Sequence, residues 1–183
     1  MTSQAASHWE YRLIALAQEA AISPNLAVPL LHPEDAGLAA AYHTCAAVTR
    51  EHSRTFFLAS ALLPQAKRRA MRALYAFCRT CDNLIDEPRV QEKAVENLLE
   101  WRNQVLCPAS TADPIATAYA DASARYRIPW LYAEQLIGGV RQDAGQVRYA
   151  TFDELAGYCY AVASTVGLMA MHIIGFQDAR ALA

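Results

Sequence analysis

Asp82 and Asp86 stand four residues apart at the end of a long helical pattern, and almost every other residue from Ala70 to Ile85 is apolar. On a helix, Tyr75, Arg79, Asp82 and Asp86 fall at i, i+4, i+7 and i+11 and share one side, while Leu74, Phe77, Cys78, Cys81, Leu84 and Ile85 make a separate apolar face. Two like charges one turn apart repel weakly in water and strongly in a cleft, unless a cation lies between them. Magnesium takes oxygen ligands, keeps several waters and bridges one or two carboxylates to substrate phosphates, so this pair beside an arginine suits a diphosphate site. The competing reading of the bare spacing is a solvated Arg-Asp-Asp patch. The company tips the balance: with Tyr75 on the same stripe and so few polar neighbours, the helix has little face left for solvent.

A second cluster, His52-Ser53-Arg54-Thr55-Phe56, packs a cation, hydroxyls and an aromatic ring into five residues. A forked guanidinium and hydroxyls can hold phosphate oxygens, and a ring can face a carbocation. The plainer alternative is that Ser53 or Thr55 caps the next helix. A third cluster is Arg141-Gln142-Asp143, then Arg148-Tyr149, then Thr151-Phe152-Asp153-Glu154. Thr151 with Glu154 reads as a capping box. Asp143, Arg148 and Tyr149 either approach a diphosphate and its ions from beside a helix end or belong to a solvated loop. Cys78-Arg-Thr-Cys81 has redox spacing but sits inside a long helix rather than after a strand, so these are buried thiols. The histidines at 8, 32, 43, 52 and 172 form no His-x-x-x-His pair, and neither zinc nor di-iron chemistry is expected.

The elements that must position these groups are all helices. Glycine and proline are few and fall where helices would begin or end. An amphipathic helix covers about 4 to 22, followed by a loop with Pro24, Pro29 and Pro33; a second helix covers 34 to 51. Pro64 opens a long helix over 65 to 86, closed by Pro88, and further helices are expected at 90 to 106, 113 to 126, 130 to 146 and 152 to 175. No alternating strand pattern and no hairpin turn signal occur, so the fold class is all-α. At 183 residues and 54% hydrophobic, the chain can build one domain with a real core.

Net charge is −2 and the sequence pI is near 6.2, with basic residues read as scattered rather than gathered in a stripe; nucleic acid is not an expected partner. The odd cysteine number suits reduced thiols in a cytosol, and no secretion signal is read at the N-terminus. The least polar stretch, Ala161 to Phe176, is shorter than the ~20 residues of a spanning helix and reads as a buried helix.

Taken in order, His52-Ser-Arg-Thr-Phe56, Leu63-Pro64, Ala73-Leu-Tyr-Ala-Phe-Cys-Arg79 and Asp82-Asn-Leu-Ile-Asp-Glu87 resemble the N-terminal half of the squalene and phytoene synthase family. Arg148-Tyr149, Phe152-Asp-Glu-Leu155, Tyr158-Cys-Tyr160 and Val162-Ala-Ser-Thr-Val-Gly167 resemble that family's segment leading into its central helix. Several motifs in order are far more specific than any one of them. The resemblance implies an isoprenoid-synthase-type helical bundle around a central cavity, with 1–33 as an N-terminal helix and loop extension and 34–183 as the N-terminal part of the prenyl synthase domain. It implies that Asp82 and Asp86 bind magnesium, or manganese in its place, and that Arg79 and Tyr75 complete the catalytic set. His52, Ser53, Arg54, Thr55, Phe56, Asp143, Arg148, Tyr149, Thr165 and Val166 would meet the substrate, Phe56 and Tyr75 by lining the prenyl cavity. The implied reaction joins two identical prenyl diphosphates head to head through a cyclopropyl intermediate.

The family's second aspartate-rich motif follows the central helix, and this sequence reaches Ala183 ahead of it. The expectation is a C-terminally truncated bundle with half of the metal site, either a fragment of a longer enzyme or a short form that cannot complete the site alone. Its motifs look closest to the carotenoid branch, which implies a phytoene synthase using geranylgeranyl diphosphate. The alternatives are a squalene-type synthase using farnesyl diphosphate and a noncatalytic helical subunit. A cytoplasmic protein in peripheral contact with the inner face of a membrane is the expected setting for such greasy products.

Overall fold

The computed structural model describes residues 8–25, 35–86, 93–107, 112–145 and 148–177; within them every regular element is a helix, apart from an isolated bridge between Asn25 and Pro129. The helices are α1 His8–Ile22, α2 Ala36–His52, α3 Arg54–Ser60, α4 Gln65–Asp86, α5 Ala94–Leu106, α6 Pro114–Tyr126, α7 Trp130–Val140, α8 Phe152–Cys159 and α9 Thr165–Ile174. Pro29, Pro33, Glu87, Pro88 and Pro108, together with 178–183, lie outside the described residues.

Local chemistry explains the boundaries. Asp35 caps α2 by accepting from the Gly37 and Leu38 amides at 2.8 and 3.1 Å, and Asp113 caps α6 through Ile115 and Ala116 at 2.8 and 2.9 Å. Helix α6 ends where Arg127 turns left-handed at φ 52°. The expected box at α8 forms: the Thr151 hydroxyl accepts from the Glu154 amide at 3.2 Å, and the Glu154 carboxylate accepts from the Ala150 amide at 2.8 Å.

Helix α4 is the centre of the bundle, packed against α2, α5, α6 and α9. Leu74, Phe77, Cys81 and Ile85 are buried as expected, with Cys78 and Leu84 half-buried against them. Phe77 stacks on Tyr119 at 4.3 Å and on Trp101 at 6.4 Å, joining α4 to α6 and α5, and the Tyr119 hydroxyl meets the Met169 sulfur at 3.3 Å. Arg102 donates through Nε to both carboxylate oxygens of Glu134 at 2.8 and 2.7 Å and ties α5 to α7. At the N-terminal end, Trp9 packs edge-on against Phe152, and Gln135 donates to the Leu16 carbonyl while accepting from the Tyr160 hydroxyl.

Three expectations change. The helix expected over 130–146 stops at Val140 and passes into a 3-10 turn, Arg141–Ala144, after the poor helix formers Gly138 and Gly139. The helix expected over 152–175 contains a π turn, Tyr160–Ser164, between α8 and α9. That turn crosses α7 at Gly139, where an added Cβ would lie 2.7 Å from Ala161 Cβ and 2.9 Å from Val162 Cγ1. Finally, the helix expected to be buried is buried along one stripe only, Ala156, Tyr160, Thr165, Met169 and Ile173. By length and composition the run Phe152–Ile174, 23 residues with a mean hydropathy of 1.4 in its most apolar window, could cross a bilayer, and only 22% of that window is buried.

Candidate active site

The polar stripe of α4 forms one side of the site. Burial is the largest influence on Asp82 and raises its carboxyl above the ordinary carboxylate range; Arg79, one turn earlier, pulls it back down, and Asp86 and Asp143 push it up again. Asp143 therefore lies in the same electrostatic field as the α4 pair, carried there by the 3-10 turn that follows α7. Asp86 is exposed at the helix end, and Arg79 is half-buried. The Arg79 Nε is itself buried with no hydrogen-bond partner, a guanidinium donor aimed at no oxygen of the protein.

Tyr158 joins this group. Its hydroxyl is pushed up to about 12, first by burial and then by a hydrogen bond to the Asp143 carboxylate and that group's charge. The Tyr149 ring lies 5.1 Å from the Tyr158 ring, and both rings line a cavity of about 550 Å³ together with Arg12, Leu16, Gln135 and Gln142. Phe56 stacks on Tyr75 at 5.2 Å and 24°, which brings the second sequence cluster onto the α4 stripe.

The remaining residues singled out from the sequence are placed as follows. The Ser53 hydroxyl accepts from the Phe56 amide at 3.4 Å and caps α3, so the capping alternative is realised there. His52, Arg54, Thr55 and Arg148 are exposed. Thr165 is fully buried and donates to the Ala161 carbonyl at 2.6 Å, while Val166 packs half-buried against the core. The thiols of Cys78 and Cys81 are both raised by burial, that of Cys81 to about 12, and no disulfide joins them. Tyr158 is the residue that sequence reasoning missed. It belongs to a quoted motif, but only the fold brings it to Asp143.

Among the described residues no three His, Cys, Asp or Glu side chains come together where they could hold a metal ion. What α4 itself supplies is the pair Asp82 and Asp86, one turn apart and mutually repulsive, with the unpartnered Arg79 Nε on the same helix. That set fits a hard divalent ion held by few carboxylates and completed by waters and diphosphate oxygens.

Asp82, Asp86, Arg79, Phe56 and Tyr75 are not among the residues that line the cavity of about 550 Å³. The all-α bundle is of the isoprenoid-synthase type of fold. A sequence profile described as squalene/phytoene synthase matches residues 49–183, and the chain belongs to that family. It is 36% identical to phytoene synthase 3, chloroplastic, of Zea mays over 162 residues, covering 87% of this chain and 38% of that protein. It is 37% identical to the 15-cis-phytoene synthase of Synechococcus elongatus over 145 residues, covering 78% of this chain and 47% of that one. Among solved structures, a squalene synthase from Alicyclobacillus acidocaldarius superposes with a TM-score of 0.68 at 28% identity, covering 79% of this chain and 55% of that one. A dehydrosqualene synthase in complex with ligand gives 0.62 at 27%, covering 74% and 48%. The chain thus spans about half the length, or less, of the proteins it matches.

Proposed function

We propose that this chain carries the diphosphate-ionising part of a phytoene synthase-like prenyltransferase, which condenses two geranylgeranyl diphosphates head to head through a cyclopropyl diphosphate intermediate. The observation that carries this reading is the Asp82 and Asp86 pair on α4, with Arg79 one turn before Asp82 and Asp143 acting on Asp82 through its charge, in a chain more than a third identical to phytoene synthases. In this scheme the acidic rim holds the diphosphate end through hard ions, and the Arg79 Nε donates to a diphosphate oxygen. A bound magnesium or manganese ion supplies the charge neutralisation that lets diphosphate leave. The stacked pair Phe56 and Tyr75 presents aromatic faces to the allylic cation and keeps water away from it. No side chain acts as a covalent nucleophile.

The test is magnesium-dependent turnover of geranylgeranyl diphosphate by the full-length protein. Asp82→Ala and Asp86→Ala are each expected to lower turnover by roughly 10²–10³-fold or more while leaving helicity unchanged. Retained activity in both variants would remove the assignment. A squalene-type reaction on farnesyl diphosphate is the second reading, favoured by the identity of the two superposed structures; comparing products from the two substrates separates them.

A further inference from the structure

The basic residues are less scattered than the sequence suggests. From His52 to Cys81 the chain carries Arg54, Lys67, Arg68, Arg69, Arg72 and Arg79 and no Asp or Glu, although its net charge is −2. The fold gathers most of them at one tip, where α3 ends and α4 begins. A groove of about 290 Å³ there is lined by His43, Gln65, Arg68, Arg69 and Arg72, with no carboxylate among its lining residues.

Two leucines stand out on the segment that this groove's Arg68 and Arg72 hold. Leu58 on α3 is 68% exposed and Leu62, on the turn that follows, is 90% exposed. Arg54, Leu58 and Leu62 recur every four residues and follow one side of α3 into its exit turn. The turn is held firmly. Arg72 donates through Nε to the Ser60 hydroxyl at 3.0 Å and through Nη2 to the Phe57 carbonyl at 2.9 Å, and its guanidinium lies 3.8 Å from the Phe57 ring centre. Arg68 reaches the Ala61 carbonyl at 3.4 Å, and Lys67 caps the end of α9 at the Ile174 carbonyl. The chain is thus braced so as to hold Leu58 and Leu62 in solvent.

We propose that this tip is a docking surface for an anionic membrane leaflet. Leu58 and Leu62 enter the boundary between headgroups and acyl chains, and Arg68 and Arg69, with Arg54 on the leucine side, face the lipid phosphates. Charge complementarity and the two exposed leucines together select this occupant: a neutral protein surface would leave the acid-free groove unmatched, whereas anionic headgroups match its charge and the acyl boundary beneath them takes Leu58 and Leu62. The inference stands independently of the catalytic reading.

The test is flotation of the full-length protein with vesicles of phosphatidylcholine alone or mixed with phosphatidylglycerol. Binding is expected only to the mixed vesicles and to weaken with salt. Leu62→Gln and Leu58→Gln are each expected to lower the partition coefficient about tenfold, and Arg69→Gln severalfold, with thermal stability and prenyl turnover in detergent unchanged. Leu155→Gln, on the long apolar α8–α9 run, is the control and should bind as wild type. The proposal is overturned if Leu58→Gln and Leu62→Gln bind vesicles normally. It is equally overturned if they change the oligomeric state or melting temperature instead, which would mean that protein covers these leucines, or if Leu155→Gln is the variant that loses binding.

Discussion

The Tyr158 hydroxyl, at the end of α8, faces the carboxylate of Asp143 on the 3-10 turn after α7, close enough for that carboxylate to raise it. Asp143 in turn bears on Asp82 through its charge, so Tyr158 and Asp82 act on the same carboxylate. With its hydroxyl pushed up to about 12, Tyr158 remains a donor throughout the neutral range.

Tyr158→Phe should therefore free Asp143 without removing any charge. A hydrogen bond to a charged group contributes ~1.5–3 kcal/mol, so apparent magnesium affinity is expected to fall about tenfold or more, with a matching loss in kcat/KM. Magnesium titration of turnover checks this, and excess magnesium should restore much of the lost rate.

Asp82 makes a prediction about stability. Its folded-state carboxyl is raised, so the stability it contributes is complete below its ordinary value of 3.8 and is lost as pH rises through the raised value. At neutral pH without divalent ions the charged form is a net cost. Asp82→Asn is expected to melt higher than wild type at pH 7 in the presence of chelator, and the difference should shrink toward zero as pH approaches 4. Differential scanning calorimetry across that range checks it.

His172 predicts the opposite slope. Burial lowers its folded-state value from 6.5, partly offset by a hydrogen bond to the Tyr126 backbone, while its Nε2 is buried without a partner between Tyr132 and Phe176. Stability from the neutral ring is complete above about 6.5 and is lost as pH falls through the lowered value. The melting temperature should drop from pH 7.5 to 5, and His172→Gln should flatten that drop.

Gly139 tests the crossing that positions Tyr158. A Cβ there would meet Ala161 and Val162 within 3 Å, against backbone that also carries the π turn. Gly139→Ala is expected to cost about 1–3 kcal/mol and to lower activity as well, because Tyr158 stands two residues before that turn. Chemical denaturation combined with turnover checks both.

The sequence makes α4 legible because Pro64 starts it, its apolar face repeats at helical spacing, and Asp82 and Asp86 share a stripe whatever surrounds the helix. The capping box at Thr151 is local chemistry and forms in place. What the sequence does not disclose depends on contacts between distant segments. The π turn lies where Ala161 approaches Gly139 closely, and nothing near Tyr160 signals it. Asp143 and Tyr158 are each ambiguous alone, and only the crossing of α7 by the α8–α9 run brings one to the other. The acid-free tip escaped notice because its arginines are spaced along a helix and a turn rather than run together.

The most direct test of the central claim is the shift in melting temperature caused by magnesium with inorganic diphosphate, measured for wild type and for Asp82→Asn/Asp86→Asn. At ligand about a hundredfold above its Kd the expected stabilisation of wild type is ~2.7 kcal/mol, a rise on the order of 5–10 °C for a domain of this size, with little or no rise in the double variant. Equal stabilisation of both proteins would contradict the assignment of these carboxylates as the anchor of the diphosphate site.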